Sequence, residues 1–261
     1  MWEKEIAIAR LAAEEAGRIL EGMMGRLNRV TKKGEIDLVT EADLASEKKI
    51  IELITAHFPE DGILTEESGE YRSRSNRIWL VDPLDGTTNF AHNFPFFAVS
   101  IALEVREEIV LGVVFNPRMD EFFEAVKGGG AFLNHQAVKV SQTRGMRDSL
   151  LATGFPYDIH EKPEGVMARF RQMVVLAQGI RRPGAAALDL CYVAAGRFEG
   201  FWEEGLKPWD TAAGAIILSE AGGRSSNYSG EVFSPYMKSI VASNSYIHPA
   251  MLKALAGCDA D

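Results

Sequence analysis

The chain has 261 residues, of which 46% are hydrophobic and 25% charged, with a formal net charge of −9. That length can bury a sizeable core, and the composition is that of a globular chain rather than a disordered or fibrous one. The acidic balance argues against a protein that grips nucleic-acid backbones, which needs a basic face; it leaves small molecules and cations as partners, and solubility alone also accounts for it.

No apolar run reaches the roughly 18 residues that cross a membrane. The opening "MWEKEIAIARLAAEEAGRIL" carries acids where a secretory leader carries bases. A cytoplasmic protein without a membrane partner is therefore expected. Cys191 and Cys258 form no CxxC pair, and His57, His92, His135, His160 and His248 show no HExxH spacing, so neither a disulfide framework nor a zinc site is indicated.

In chain order, Ile6, Ala9, Ala13, Ala16 and Leu20 recur at helical spacing and predict an amphipathic helix from residue 3 to about 24. Thr40, with Asp43 three residues on, reads as the start of a second helix. Its expected buried stripe is Leu44, Ile51, Ile54 and Phe58, and Pro59 is its stop. "RIWLVD" predicts a buried strand. "FAVSIALEV", "IVLGVVF", "EFFEAVK" and "GAFLNHQAVKV" then predict an antiparallel meander. Glycines 128–130 lack the helix, lysine and threonine of a P-loop and read as a hairpin turn.

The second half alternates: a strand at "SLLATGF", a helix around "GVMARFRQMVVLAQ", a helix over 185–195, a strand at "RFEGFWE", a helix over 211–220 closed by Gly222 and Gly223, and a strand at "SIVASN". This is a layered α/β pattern. With no repeat or long linker, residues 1–261 read as one domain, with an α+β half over 1–140 and an α/β half over 141–261.

Four stretches place acids at the ends of elements: "DLVTEAD", "ILTEES", "VDPLDGTTN" and "KPWDTAAG". Singly, Asp43 also reads as a capping residue, Glu66 and Glu67 as a solvated loop, and Asp210 as an acid favoured at a helix start. Asp82 and Asp85 resist such readings, because an apolar strand delivers Asp82 to a poorly hydrated place where an unpaired charge is costly or shifts its pKa. A hard divalent cation would offset that. Magnesium takes oxygen ligands and keeps positions for water and substrate phosphate. Pro83 stiffens the turn, Leu84 offers its carbonyl and Gly86 permits close backbone approach. The amides of Gly86 and Thr87, at the start of a helical turn, would point at a phosphate. EF-hand spacing is absent, and two residues rather than one separate the aspartates, which disfavours a covalent phosphoaspartate.

"LTEES", "DPLDGTTNF" and "WDTAAGAIILSEAGG", in this order and spacing, resemble the inositol monophosphatase family of magnesium-dependent, lithium-sensitive sugar-phosphate phosphatases. The resemblance runs from "DLVTEAD" through "SIVASN" and implies an αβαβα layered sandwich, a homodimer, and two or three Mg2+ per subunit. It implies that Glu66, Asp82 and the Leu84 carbonyl hold one ion, that Asp82, Asp85 and Asp210 hold a second, and that a third shares Glu66. Asp43 would polarise Thr87, which with Glu66 activates a water, Glu67 being nearby. Gly86 and Thr87 would bind phosphate, and Lys32 would lie on a loop that closes over the metals. Gly184, Ala185, Ala186, Glu203 and Asp210 would meet the polyol, although relatives often carry a serine or threonine where this chain has Ala185. Arg181 is placed at substrate or in solvent. The expected substrate is a small phosphate ester, myo-inositol monophosphate first, with fructose bisphosphate, histidinol phosphate and phosphoadenosine phosphate as alternatives. A magnesium-binding regulatory subunit without turnover is the alternative of another class.

Overall fold

The structure is a computed structural model that describes residues 2–26, 30–32, 38–71 and 75–256. In chain order, α1 (Glu3–Met23), β1 (Val30–Lys32), β2 (Leu38–Thr40) and α2 (Glu41–His57) lead to β3 (Gly62–Thr65), β4 (Gly69–Tyr71) and β5 (Arg77–Asp85). A short helix, α3 (Thr87–Ala91), precedes a meander of β6 (Ala98–Val105), β7 (Glu108–Asn116), β8 (Glu121–Val126), β9 (Ala131–Leu133) and β10 (Gln136–Val138). The remainder is β11 (Leu150–Thr153), α4 (Pro163–Leu176), β12 (Gly179–Arg181), α5 (Ala186–Ala194), β13 (Gly200–Glu204), α6 (Pro208–Glu220), β14 (Arg224–Ser226), β15 (Ser239–Ser243) and α7 (His248–Ala256).

An eight-stranded sheet has the order β10-β9-β8-β7-β6-β5-β3-β4, and a five-stranded sheet the order β12-β11-β13-β15-β14. Alternation of side chains along each strand builds the layers. Trp79, Val81, Ile101 and Leu103 pack against the alanine face of α1 and against α2. Their strand neighbours Leu80 and Ala102 turn the other way, into a core with α5 and α6. Ala152, Phe201 and Ala242 close that core from the smaller sheet, while Leu151, Trp202 and Val241 face Met173 of α4 and Met251 of α7. Every residue of α5 is buried, as a helix sandwiched between two sheets requires. The result is the αβαβα layering that the family resemblance implied.

The structure corrects several details. Leu44 is 53% exposed, whereas Ile54 is buried and Ile51 and Phe58 pack partly buried against the core as expected; the rest of the buried face of α2 is Ala42, Asp43, Ser46, Glu47 and Ile50. Its first two turns are polar because they face the ends of β3 and β5 rather than the apolar body of the sheet. "GAFLNHQAVKV" splits into the hairpin β9–β10. The short strands β12 and β14 and the helix α7 were not anticipated, since three-residue strands carry too little periodicity to read. The triple-glycine turn does join β8 to β9, and its Gly128 and Gly130 amides donate to the Glu220 carboxylate at 2.8 and 2.9 Å. An acid at a helix C-terminus is unfavourable to the helix dipole, and here it ties the meander to α6.

His248, at the start of α7, is fully buried between Ser226 Oγ and Ser243 Oγ, each 2.9 Å from a ring nitrogen. Burial, aided by Arg224, lowers its pKa to about 4. The unfolded chain takes up this proton first as pH falls, so stability from a neutral His248 is lost between about pH 6.5 and 4. In His248→Gln, thermal melting should lose part of that acid-side decline, at a pH-independent loss of about 1 kcal/mol for the altered hydrogen bonds.

Candidate active site

The strand β5 carries the first two acids, and its backbone explains their shared direction. Residues three apart on an unbroken strand point to opposite faces. Here the pairing with β6 runs Asp82↔Ser100 and then Asp85↔Ala98, so β5 holds one extra residue across this step. That bulge turns Asp82 and Asp85 toward the same side. Pro83 is tolerated within the strand because pairing with β3 has ended at Val81↔Thr65, and the bulge needs no amide from it.

Beyond the strand, Gly86 has φ of 91°, and a Cβ there would stand 3.0 Å from the Phe96 carbonyl oxygen and 3.2 Å from that of Gly184. Glycine alone permits both the left-handed turn and the approach of the Gly184–Ala186 segment. That approach lets the Asp85 carboxylate accept from the amides of Ala186 (3.2 Å) and Ala187 (2.8 Å). Helix α5 has no side-chain cap of its own, so Asp85 supplies one from a distant part of the chain.

Asp210 arrives on the first turn of α6, where its Oδ2 accepts from the Lys207 amide at 2.7 Å. Ser100 Oγ donates to the Trp209 carbonyl at 3.1 Å and fixes this turn to β6. Asp82 Oδ1 accepts from the Leu84 amide at 3.0 Å. Thr87 Oγ1 lies 3.1 Å from Asp43 Oδ1 and 3.0 Å from the Leu84 carbonyl oxygen, and its single proton can go to either.

Together these residues line a cavity of about 300 Å³. Its lining includes Glu66, Asp82, Leu84, Asp85, Gly86, Thr87 and Asp210, and also Gly184, Ala185, Ala186 and Glu203. Asp43 is buried behind Thr87 and reaches the cavity only through it. Glu67 does not line the cavity, and its amide donates to Glu47 instead. Lys32 lies in β1, and its side chain is outside the described residues.

Arg181 is exposed, with Nη1 on the Ile180 carbonyl, and does not reach the cavity. Its neighbour Arg182 lines it instead and lies over the Phe155 ring. The reason is β12: pairing with β11 ends at Arg181, so the next residue is the first free to turn toward the cavity. A second residue that sequence reasoning missed is Asp189 of α5, which is 1% exposed, with Oδ1 lacking a hydrogen-bond partner. An acid inside the apolar run "GAAALDL" was the available signal.

The electrostatics follow from crowding. Asp82 is held well above the usual carboxylate range by burial first and then by the charges of Glu66, Asp85 and Asp210. Burial pushes Asp85 up to about 7 against the α5 amides, with Glu66 adding repulsion. Asp210 is likewise raised to about 7, by burial and Asp85, and is close enough to Asp82 for the two to share a hydrogen bond. Glu203 reaches about 8, through burial opposed by Arg182 and reinforced by Asp210 and Asp85. Its carboxylate lies against Gly154, where any Cβ would stand 2.1 Å from it.

This donor set is made of hard oxygens and carries more negative charge than its surroundings balance, which fits a hard divalent cation such as Mg2+. Among the described residues no group of three or more Asp, Glu, His or Cys side chains is gathered closely enough to hold a metal ion by itself; Glu66, Asp82, Asp85, Glu203 and Asp210 line one cavity.

The inositol monophosphatase family model matches residues 1–260. The chain is 42% identical over 253 residues to an inositol-1-monophosphatase of Synechocystis, covering 96% of this chain and 88% of that protein. It is 41% identical over 259 residues to the Nus factor SuhB of Haemophilus influenzae, covering 96% and 95%. The solved inositol monophosphatase from Anabaena superposes with a TM-score of 0.90 at 42% identity, covering 98% of this chain and 96% of that one.

Folding raises the Asp85 and Asp210 pKa values, so their stabilising neutral forms are present at low pH and lost as pH rises through about 7. Metal-free protein should therefore melt at lower temperature at pH 8 than at pH 6.5, a window that His248 does not affect, and Asp210→Asn should flatten the decline. Adding Mg2+ at pH 8 should reverse it in the wild type, by about 2.7 kcal/mol at a hundredfold excess over Kd, and should do less for Asp210→Asn.

Proposed function

Since the chain belongs to the inositol monophosphatase family and is a phosphoric monoester hydrolase, we propose that it carries out magnesium-dependent hydrolysis of a small phosphate monoester, myo-inositol monophosphate first. The observation that carries this reading is the convergence of Glu66, Asp82, Asp85 and Asp210 on one cavity, with the Thr87 hydroxyl beside them and Asp43 behind it. In this reading Glu66, Asp82, the Leu84 carbonyl, Asp85 and Asp210 hold two or three Mg2+. When bound, the ions supply a lowered water pKa, neutralisation of phosphate and stabilisation of the departing oxygen.

The protein's own groups have defined tasks. The backbone of Gly86 and Thr87 binds the phosphate. With its proton given to Asp43 Oδ1, Thr87 Oγ1 has lone pairs left to accept a hydrogen from the attacking water and hold it in line. Glu66 takes the water's proton as the oxygen bonds to phosphorus, the ester P–O bond breaks, and the departing polyol oxygen takes a proton from solvent. Glu203, raised to about 8, can donate to or accept from polyol hydroxyls near neutral pH. Gly184, Ala185 and Ala186 line the same cavity.

The same reading takes residues 1–261 as one catalytic domain, because α5 and α6 share a core with both large sheets. It also includes a homodimer, cytoplasmic location and inhibition by Li+. Fructose bisphosphate and other sugar or nucleotide phosphates remain the competing substrates. A regulatory, non-catalytic role is the reading of another class, and the name Nus factor borne by the Haemophilus relative gives it a specific basis. The Thr87–Asp43 pair favours turnover, since a purely structural cation site has no use for a group that orients water.

Phosphate release from a panel of sugar phosphates, with Mg2+ and with a chelator, separates these readings; silence across the panel with Mg2+ bound would favour the regulatory one. Thr87→Ala should cost about 10²- to 10⁴-fold in kcat. Full activity in Asp85→Asn, or a trapped phosphoenzyme, would overturn direct attack by water. Gly154→Ala should displace Glu203 and raise KM for polyol phosphates while leaving Mg2+ affinity within about twofold of wild type.

A further inference from the structure

Helix α2 presents three buried polar side chains at i, i+3 and i+4: Asp43, Ser46 and Glu47. On a helix these share one face, and each holds a different segment of the candidate site. Asp43 takes the Thr87 hydroxyl. Ser46 Oγ donates to the Pro83 carbonyl at 2.7 Å, gripping the bulge between Asp82 and Asp85. Glu47 does the most. Its Oε2 accepts from Thr65 Oγ1 at 2.5 Å, from the Glu67 amide at 3.0 Å and from the Ser68 amide at 3.3 Å, while Ser68 Oγ donates to its Oε1.

These donors come from either side of Glu66: Thr65 precedes it, and Glu67 and Ser68 follow. A carboxylate has about four acceptor positions, and this one is 2% exposed and spends them on a single turn. Glu47 itself does not line the cavity. Nothing in such an arrangement is needed merely to end β3, since a turn at the surface satisfies its amides with water. What it accomplishes is to fix the backbone on both sides of Glu66, so that this carboxylate faces Asp82 and Asp85 despite their repulsion.

We propose that Glu47 is a positioning residue for the metal site: by bonding Thr65, Glu67 and Ser68 it holds the Glu66 carboxylate in place for Mg2+. The proposal rests on the phosphatase reading above. Groups that orient a metal's ligands typically change affinity by about 10- to 100-fold when removed. Glu47→Gln keeps the shape but turns an amide NH2 toward groups that are themselves donors.

The test is isothermal titration of Mg2+ into metal-free wild type, Glu47→Gln, Thr65→Val, Ser68→Ala and Glu220→Gln, with the melting temperature of each metal-free protein. The expected result is a Kd about 10- to 100-fold weaker in Glu47→Gln, a smaller weakening in Thr65→Val and Ser68→Ala, and kcat recovering toward wild type at saturating Mg2+. Glu220→Gln, which loosens the distant glycine turn, should leave Kd unchanged even where its melting temperature falls. If Glu47→Gln does not fold, the Thr65 and Ser68 variants decide. Kd values within twofold of wild type in the folded variants would overturn the proposal while leaving the phosphatase reading intact. A wild type that takes up no Mg2+ would overturn both.

Discussion

Asp82 and Asp210 stand close enough to share a hydrogen bond, with Asp85 and Glu66 adding charge to the same small volume. Like charges in a poorly hydrated pocket repel strongly, so the surrounding structure has to hold them in place. It does so with backbone amides. Asp82 takes the Leu84 amide, Asp85 the amides at the start of α5, and Asp210 the Lys207 amide at the start of α6. Each bond favours the charged form, and each also anchors a helix or turn, so the acids organise the fold that confines them.

The layering serves this arrangement. Both α5 and α6 lie between the two large sheets, α5 buried on every side and α6 over most of its length. Their N-termini come to the end of β5, and the helix dipoles there are favourable to negative charge. A helix pair fixed by a shared core is a stiffer support for carboxylates than a surface loop. The polar face of α2 works from the opposite side, holding Thr87, the Pro83 carbonyl and the turn that carries Glu66.

The cavity mixes charge and apolar surface: Glu66, Asp82, Asp85, Glu203 and Asp210 line it together with Arg182, Lys207, Phe155 and Tyr157. Burial raises the pKa of Glu203, opposed by Arg182 and reinforced by Asp210 and Asp85. The groups of this cavity therefore share one electrostatic environment, and a change at Arg182 is felt at Glu203.

The long helices and strands, a layered α/β pattern and the acids of β5, α6 and the β3 turn were legible in the sequence, because apolar periodicity and charges at element ends are local signals; the αβαβα order came from the family resemblance. Family membership was legible too, in three short motifs. The buried stripe of α2 was legible only in part: periodicity marks apolar residues such as Ile54, and it missed Asp43, Ser46 and Glu47, which only the neighbours β3 and β5 make interior. The choice of Arg182 over Arg181 turns on where β12 stops pairing, and Asp189 among alanines and leucines gave no indication of which charges it would meet. The chain alone thus determined the family and the acids proposed to carry the chemistry. Only the tertiary structure decided which of them meet, because the bulge in β5, the depth of α5 and the hydrogen bonds of Glu47 depend on contacts between residues far apart in sequence.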